Sequence, residues 1–217
     1  MRETLFCVAL ESVFIFLLLI FLRFPFVVCT IIRNFAKRRT SLWLHAMMII
    51  KRMAARLSRV FRSRGFGVQS PSAYQFIRYV LNEHAPYYAY GDLRETVQCS
   101  ARRRRLLQLY LRLANYQQQK QLTILGRIAS DAEQYIHAGC RNANFRIVDK
   151  EDAALLLEGQ SADAMLVVED IAENEERSKL WNTLLADERT GVSYNLYDCG
   201  IIFFDLTKYK CCYKVNF

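Results

Sequence analysis

Short apolar runs alternate with helical segments between residues 122 and 170, and few folds accommodate such a pattern. The runs LTIL (122–125), FRIV (145–148) and AMLVVED (164–170) predict strands. Between them, SDAEQYIHAG predicts a helix capped by Ser130 and closed by Gly139, and EDAALLLEG predicts a shorter one. Continuously apolar strands that alternate with helices indicate a parallel sheet covered on both faces.

The segments on either side complete the predicted architecture. Residues 192–196, 200–205 and 211–217 predict three strands that close the sheet edge in antiparallel fashion. The interval between the first and third parallel strands is too short for a full mononucleotide-binding fold, whose strand-helix units take about 30 residues each. The predicted fold class is therefore α/β, a shortened Rossmann-like sheet with an N-terminal helical segment and C-terminal antiparallel strands.

Two helices are predicted before the sheet. Ser70 is a suitable N-cap with Pro71 at the first helical position, and Pro86 ends this helix. The second runs from about Leu93 to Tyr116. Its buried stripe is predicted to comprise Leu106, Leu109, Tyr110 and Leu113.

Charge is distributed unevenly along the 217 residues. Residues 1–105 hold 18 Lys and Arg against 5 Asp and Glu, whereas residues 106–217 hold 12 against 16. The segment IIKRMAARLSRVFRSR (49–64) predicts a basic amphipathic helix. A nucleic-acid or lipid surface could use it, but solvated charged faces are the commoner explanation, so nucleic acid is an unfavoured partner. The sequence thus predicts three parts: a hydrophobic segment (1–46), a basic helical segment (47–117) and a shortened Rossmann-like α/β domain (118–217).

Residues 5–32 are apolar enough to suggest a membrane anchor, which needs about 20 apolar residues, although Glu11, Arg23 and Pro25 interrupt them. The basic residues that follow would place the domain on the cytoplasmic side of the inner membrane. The alternative is a mis-called start, with Met47, Met48 and Met53 all plausible true starts, which leaves a cytoplasmic protein. The two interpretations stay open.

The seven cysteines are scattered and never have a metal-ligand spacing. Reduced thiols in a cytosolic compartment explain them best.

Four stretches together resemble a known family: RGFGVQSPSAYQFI, PYYAY, RLLQLYLRLANY and LYDCGIIFF. They are similar to class I S-adenosylmethionine-dependent methyltransferase-like proteins of the Bacteroides type. The resemblance covers about residues 49–217, and Gln69 stands where the family usually has His. It implies a methyltransferase-like sheet that binds S-adenosylmethionine after its first strand.

The family's cofactor turn reads approximately acidic-x-Gly-x-x-x-Gly. Aligned with LTILGRIASD, the acidic position falls on Ile124, the first glycine on Gly126 and the second on Ser130. Only one of the three markers remains, and a side chain at Ser130 would crowd a backbone that must approach its ligand. The resemblance thus assigns Gly126 and Ser130 to a degenerate cofactor site.

Asp149 has two interpretations. It follows the second strand, where doubly wound folds often keep an acid for ribose hydroxyls, about 23 residues after Gly126. It could instead cap the helix in KEDAALLLEG, and the damaged turn favours the cap.

Glu169 and Asp170 end the third strand, where the resemblance places a metal-binding pair. Two carboxylates suit a hard divalent cation, but no third acid is visible on a neighbouring strand. Two solvated acids that open the acidic helix AENEERSKLWNTLL are the favoured alternative.

The sequence therefore favours a degenerate methyltransferase-like protein with weak or no catalysis, which acts as a binding or structural module. Its partner would be a protein, or a membrane contacted through the N-terminus. An active S-adenosylmethionine-dependent methyltransferase and a membrane-anchored basic interaction protein are the alternatives.

Overall fold

The computed structural model describes residues 50, 52–54, 57, 59, 67–127 and 130–217. The chain divides into two compact units, Met1–Ala54 and Ala55–Phe217. The hydrophobic segment 1–46 and most of the basic segment 49–64 lie outside the described residues. In the basic segment, residues 50, 52–54 and 57 are helical, and Met53 and Leu57 of its predicted apolar stripe are exposed. Within the described part of the chain, no helix has the length and hydropathy needed to cross a bilayer.

Three helices precede the sheet within residues 67–121. Helix α1 (Pro71–Phe76) continues into a single π-helical turn, Ile77–Leu81, and helices α2 (Ala89–Thr96) and α3 (Ala101–Gln117) follow. The predicted N-cap at Ser70 is confirmed, since its hydroxyl accepts a hydrogen bond from the Ala73 amide. Helix α1 with its π turn ends before Pro86, its predicted end.

The prediction of one helix from Leu93 to Tyr116 is wrong. Val97 adopts an extended conformation that ends α2, and Ser100 caps α3 by accepting a hydrogen bond from the Arg103 amide at 3.2 Å. A β-branched residue followed by a good N-cap separates the two helices. The predicted stripe of α3 is buried except at Leu106, which is half-buried.

Strands and helices then alternate as predicted. The elements are β1 (Leu122–Leu125), α4 (Ser130–Gly139), β2 (Phe145–Val148), α5 (Ala153–Leu157), β3 (Met165–Glu169), α6 (Glu175–Ala186), β4 (Ser193–Asn195), β5 (Cys199–Phe203) and β6 (Cys212–Lys214). They form a six-stranded mixed sheet in the order β2-β1-β3-β5-β4-β6. The described chain is therefore α/β.

The first three strands pair in parallel, and β5 is antiparallel to both β3 and β4. The prediction that all three C-terminal strands are antiparallel is wrong for β6, which pairs with β4 in parallel. The reason is topological. After β5 the chain reverses direction and passes to the far side of β4, where it forms β6. Since β4 is also antiparallel to β5, β6 and β4 run in the same direction.

The sheet separates two apolar clusters because successive side chains of a strand point to opposite faces. On β3, Val167 belongs to the cluster with α1, α3 and α4, whereas Leu166 and Val168 belong to the cluster with α5 and α6. All five residues of β3 are buried, which explains its continuous apolar sequence. Because helices cover both faces of the sheet, a site can form only at the ends of the strands.

Candidate functional site

The carboxyl ends of β1 and β3 lie side by side, since Leu125 pairs with Val168 in parallel register. Open α/β sheets bind their ligands beyond such ends. Gly126 follows β1 directly, and Glu169 is the last residue of β3. The structure thus brings together a residue assigned to a cofactor and one assigned to a metal.

The Glu169 side chain occupies the space over Gly126. A Cβ added to Gly126 would lie 2.3 Å from Cδ of Glu169 and 2.6 Å from its Cγ and Oε1. Heavy atoms in van der Waals contact are much farther apart, about 3.5 Å or more. The missing side chain at Gly126 therefore makes room for a carboxylate of the protein itself.

Three donors hold the Glu169 carboxylate. Arg103 Nη1 donates to Oε1 at 2.9 Å, the Arg127 amide donates to Oε2 at 3.2 Å, and the Tyr110 hydroxyl donates to Oε1. Glu169 is only 5% exposed, so its interpretation as a solvated acid is wrong. A buried carboxylate is stable where donors and an opposite charge replace its lost water, as they do here.

Arg103 connects this carboxylate to helix α4. Its Nε and Nη2 donate to the two carboxylate oxygens of Asp131, each at 3.1 Å, which is a bidentate ion pair. Burial disfavours the charged guanidinium, but the hydrogen bonds to Asp131 and the charge of Glu169 outweigh it and raise the pKa of Arg103. The arginine thus stays charged and joins α3, α4 and β3.

Two further groups beside Glu169 are held in their neutral forms. Burial raises the pKa of the Tyr110 hydroxyl, and the Glu169 carboxylate raises it further, so Tyr110 acts as a donor. Burial also raises the pKa of the Cys199 thiol. A thiol is nucleophilic only as the thiolate, so Cys199 is not suited to nucleophilic catalysis. The five described cysteines all carry free thiols.

Asp170 takes part in a second ion cluster at the same edge. Arg102 lies 3.4 Å from Asp170, 2.7 Å from Glu173 and 2.9 Å from Asp198. Helix α6 begins only at Glu175, with Asn174 as its N-cap, so the prediction that Glu169 and Asp170 open this helix is wrong. Among the described residues, no group of three or more His, Cys, Asp or Glu is arranged to hold a metal ion.

Asp149 lies at the end of β2 with its side chain 63% exposed. Arg177 contacts it with a 3.9 Å ion pair and a hydrogen bond to its carbonyl oxygen. The N-cap position of α5 is Asp152, three residues later, so the interpretation of Asp149 as the cap is wrong. Its assignment to a ribose stays a prediction.

The sequence predicted Ser130 as the N-cap of α4, but it is the first residue within the helix, and it is exposed. The two residues before it lie outside the described part of the chain. Its neighbour Asp131 contacts the Glu169 cluster through Arg103.

A cavity of about 270 Å³ remains at this edge of the sheet. Its wall includes Arg102, Arg103, Arg127, Glu169, Asp198 and Phe217. Pockets for drug-sized ligands and cofactors usually measure about 300–1,000 Å³. The space left beside the Glu169 cluster therefore lies at the lower edge of that range.

The sequence analysis missed Arg103 and Tyr110 as partners of Glu169. They lie 66 and 59 residues away along the chain, and no spacing rule connects such positions. One signal was available: a glutamate that ends a continuously apolar strand is buried with it and requires a cation. The run of four arginines in α3 offered several, and only the fold selects Arg103.

Comparisons of the chain with protein-family models, with curated proteins and with solved structures found no match.

Proposed function

We propose that this chain is a methyltransferase-like protein with a Rossmann-like sheet whose cofactor crevice has become part of its own packed interior. It binds S-adenosylmethionine weakly or not at all and acts as a binding or structural module instead of a catalyst. The observation that carries the proposal is the Glu169 side chain, which lies over Gly126 where the resemblance expects the cofactor.

The order of the first three strands supports the Rossmann-like part of the proposal. Strands β2, β1 and β3 are parallel and adjacent, with helices on both faces, as in doubly wound sheets. The antiparallel β5 beside β3 is in keeping with the C-terminal arrangement that the resemblance implies. The shortness of the sheet fits a fold that has lost strand-helix units.

The cost of opening the crevice supports the loss of cofactor binding. Moving Glu169 away would leave Arg103 without one of its carboxylates and Tyr110 without its acceptor, both in buried positions. Breaking a buried ion pair typically costs about 3–5 kcal/mol. Since about 1.4 kcal/mol is a tenfold change in affinity, a micromolar site would weaken to a dissociation constant between about 0.1 mM and a few millimolar.

Calorimetric titration of S-adenosylmethionine into the full chain tests the proposal. We expect no saturable heat at cofactor concentrations up to about 1 mM, which corresponds to about 4 kcal/mol of binding free energy or less. A methyltransferase known to bind the cofactor, measured in the same buffer, is the positive control. A micromolar dissociation constant for this chain would overturn the proposal.

An active methyltransferase is the second candidate, and one observation favours it. The 270 Å³ cavity opens at the ends of β1 and β3, the edge at which the resemblance expects the cofactor. In that case the titration would reveal micromolar binding, and Gly126→Val would abolish it by filling the space over the turn.

A further inference from the structure

A second cavity, of about 710 Å³, lies between α3 and the chain that follows α1. The π turn Ile77–Leu81 and the segment after it form one side of this cavity. The other side is one face of α3, because Arg105, Gln108 and Arg112 are spaced three and four residues apart. Its volume is within the range of small-molecule sites.

Arg112 forms the floor of this cavity and is only 8% exposed. Its Nη1 donates to the carbonyl oxygen of Glu83 at 3.1 Å, and its Nη2 donates to that of Leu81 at 3.2 Å. Arg112 Nε is buried and has no hydrogen-bond partner among the described residues. The two hydrogen bonds to these carbonyl oxygens therefore use only part of the guanidinium.

The Tyr90 hydroxyl, in the same cavity wall, lies within hydrogen-bonding reach of the Arg112 guanidinium and has no other hydrogen-bond partner in the described part of the chain. Burial raises the pKa of Tyr90 to about 12, so the hydroxyl keeps its proton and can donate. Buried polar groups are satisfied in the great majority of cases, and each exception requires an explanation. Arg112 forms no ion pair among the described residues, so this wall carries a buried cation whose charge an anion from outside the chain can balance.

The charge of the wall indicates the kind of acceptor. The charged side chains that line it are Arg78, Arg105 and Arg112 against Glu83. The Glu83 carboxylate already accepts a hydrogen bond from the Tyr87 hydroxyl at 2.7 Å. Arg78 and Arg105 are exposed, so they can reorient towards a ligand without breaking a packed structure.

An apolar surface lies next to these cations. The guanidinium of Arg112 lies 5.8 Å from the centre of the Phe217 ring, and Leu81 and Pro86 also line the cavity. A free inorganic ion would leave this apolar wall unused. The lining therefore suits a molecule with an anionic group at one end and an apolar body.

We propose that this cavity binds a small organic anion, with a carboxylate or phosphate group against Arg112, Tyr90 and the two exposed arginines, and an apolar part against Phe217. Guanidinium groups recognise both anions through charge-assisted hydrogen bonds. The π turn in the wall fits this assignment, since such turns occur frequently at functional sites. The proposal concerns a different cavity from the Glu169 crevice and does not depend on the loss of cofactor binding.

Titration of the full chain with phenyl phosphate and with benzoate, followed by calorimetry and by chemical shifts, tests the proposal. Benzyl alcohol is the uncharged control. We expect at least one anion to bind saturably and to shift the resonances of Arg112 and Phe217, and we expect the alcohol not to. The stronger anion assigns the ligand as a phosphate or a carboxylate. Neither probe contains an adenosyl group, so the result is independent of S-adenosylmethionine binding.

Arg78→Gln and Arg105→Gln should each weaken anion binding about tenfold, the loss expected for one charge-assisted hydrogen bond. Arg141→Gln is the matched control, because Arg141 is also exposed but does not line the cavity. Circular dichroism checks that the variants fold. The proposal is overturned if neither anion binds, if benzyl alcohol binds equally well, or if both cavity variants bind as the Arg141 variant does.

Discussion

Two arginines of helix α3, nine positions apart, are largely shielded from solvent but have different surroundings. Arg103 uses all three of its side-chain nitrogens, and each donates to a carboxylate oxygen of Asp131 or Glu169. Arg112 uses only two, both on backbone carbonyls, and its Nε has no partner among the described residues. The first arginine belongs to a closed internal network of ion pairs, whereas the second has no carboxylate partner among the described residues.

This difference separates a sheet edge that the chain's own side chains occupy from a cavity that is open. A network in which every member is satisfied holds a unique packing and resists the entry of a ligand. A wall with a buried cation that has no carboxylate partner gains free energy when an anion binds. The edge of the sheet where a Rossmann-like protein would bind its cofactor is the filled one, and the cavity beside the π turn is the open one.

The largest effect should come from Arg103→Met, which breaks the closed network. Glu169 would lose its buried cation and Asp131 its bidentate partner. We expect the free energy of unfolding in urea to fall by about 3–5 kcal/mol. Arg141→Met, at an exposed position, should change it by less than about 0.5 kcal/mol. A loss below about 1 kcal/mol for Arg103→Met would show that the network is not important for stability.

Gly126→Ala should come next, because its Cβ would overlap the Glu169 side chain, which three hydrogen bonds hold in place. We expect a loss of about 2–3 kcal/mol in the same unfolding measurement. In the Glu169→Ala background the same substitution should cost much less, since the overlap is gone. Equal costs in both backgrounds would contradict the contact.

Gly91→Ala is the matched control for this substitution. Gly91 lies in helix α2, and a Cβ there would meet no atom within 4 Å. We expect it to stabilise the chain by up to about 1 kcal/mol, because alanine favours the helix.

Arg112→Met should have a smaller effect than Arg103→Met. It removes the donors from the carbonyls of Leu81 and Glu83, but it leaves no buried charge without a partner. We expect a loss of about 1–3 kcal/mol by urea denaturation, with faster amide hydrogen exchange in the π turn. A larger loss than for Arg103→Met would reverse the comparison between the two arginines.

The smallest effect concerns pH. Burial acts to raise the pKa of Asp131, but the hydrogen bonds from Arg103 outweigh it, and the folded-state pKa lies below the usual range. The contribution of Asp131 to stability is therefore complete above about pH 4, the usual value for the unfolded chain, and is lost as the pH falls through the lower folded pKa. It should be below about 1 kcal/mol, because the pair is partly exposed.

Unfolding curves between pH 2 and 6 test this contribution with Asp131→Asn. The variant should lose stability at pH 6 and become less sensitive to acid than the parent chain. An unchanged acid sensitivity would mean that Asp131 is not titrating with a depressed pKa. Asp163→Asn is a suitable control, since Asp163 also forms an ion pair but is 70% exposed.

The sheet could be predicted from the sequence because its signals are local. The strand LTIL has the predicted bounds, and the helix Ser130–Gly139 ends at the predicted glycine. The break between α2 and α3 was also readable, since Val97 and Ser100 are a strand-type residue and an N-cap. The direction of β6 could not be predicted, because it depends on which side of β4 the chain returns to.

The candidate site could be predicted only in part for the same reason. The glycine turn after β1 and the acid after β3 are adjacent in any parallel sheet, and their meeting was predictable. What Glu169 does there depends on Arg103 and Tyr110, which come from a helix far away along the chain. The cavity around Arg112 depends on the π turn, for which the sequence carries no local signal.

The central claim is that the Glu169 carboxylate occupies the space over Gly126, and a crystal soaked with S-adenosylmethionine tests it most directly. We expect electron density for Glu169 within hydrogen-bond distance of Tyr110, Arg103 and the Arg127 amide, with no adenosyl group at the ends of β1 and β3. Density for the cofactor packed against Gly126, with Glu169 displaced, would contradict the account.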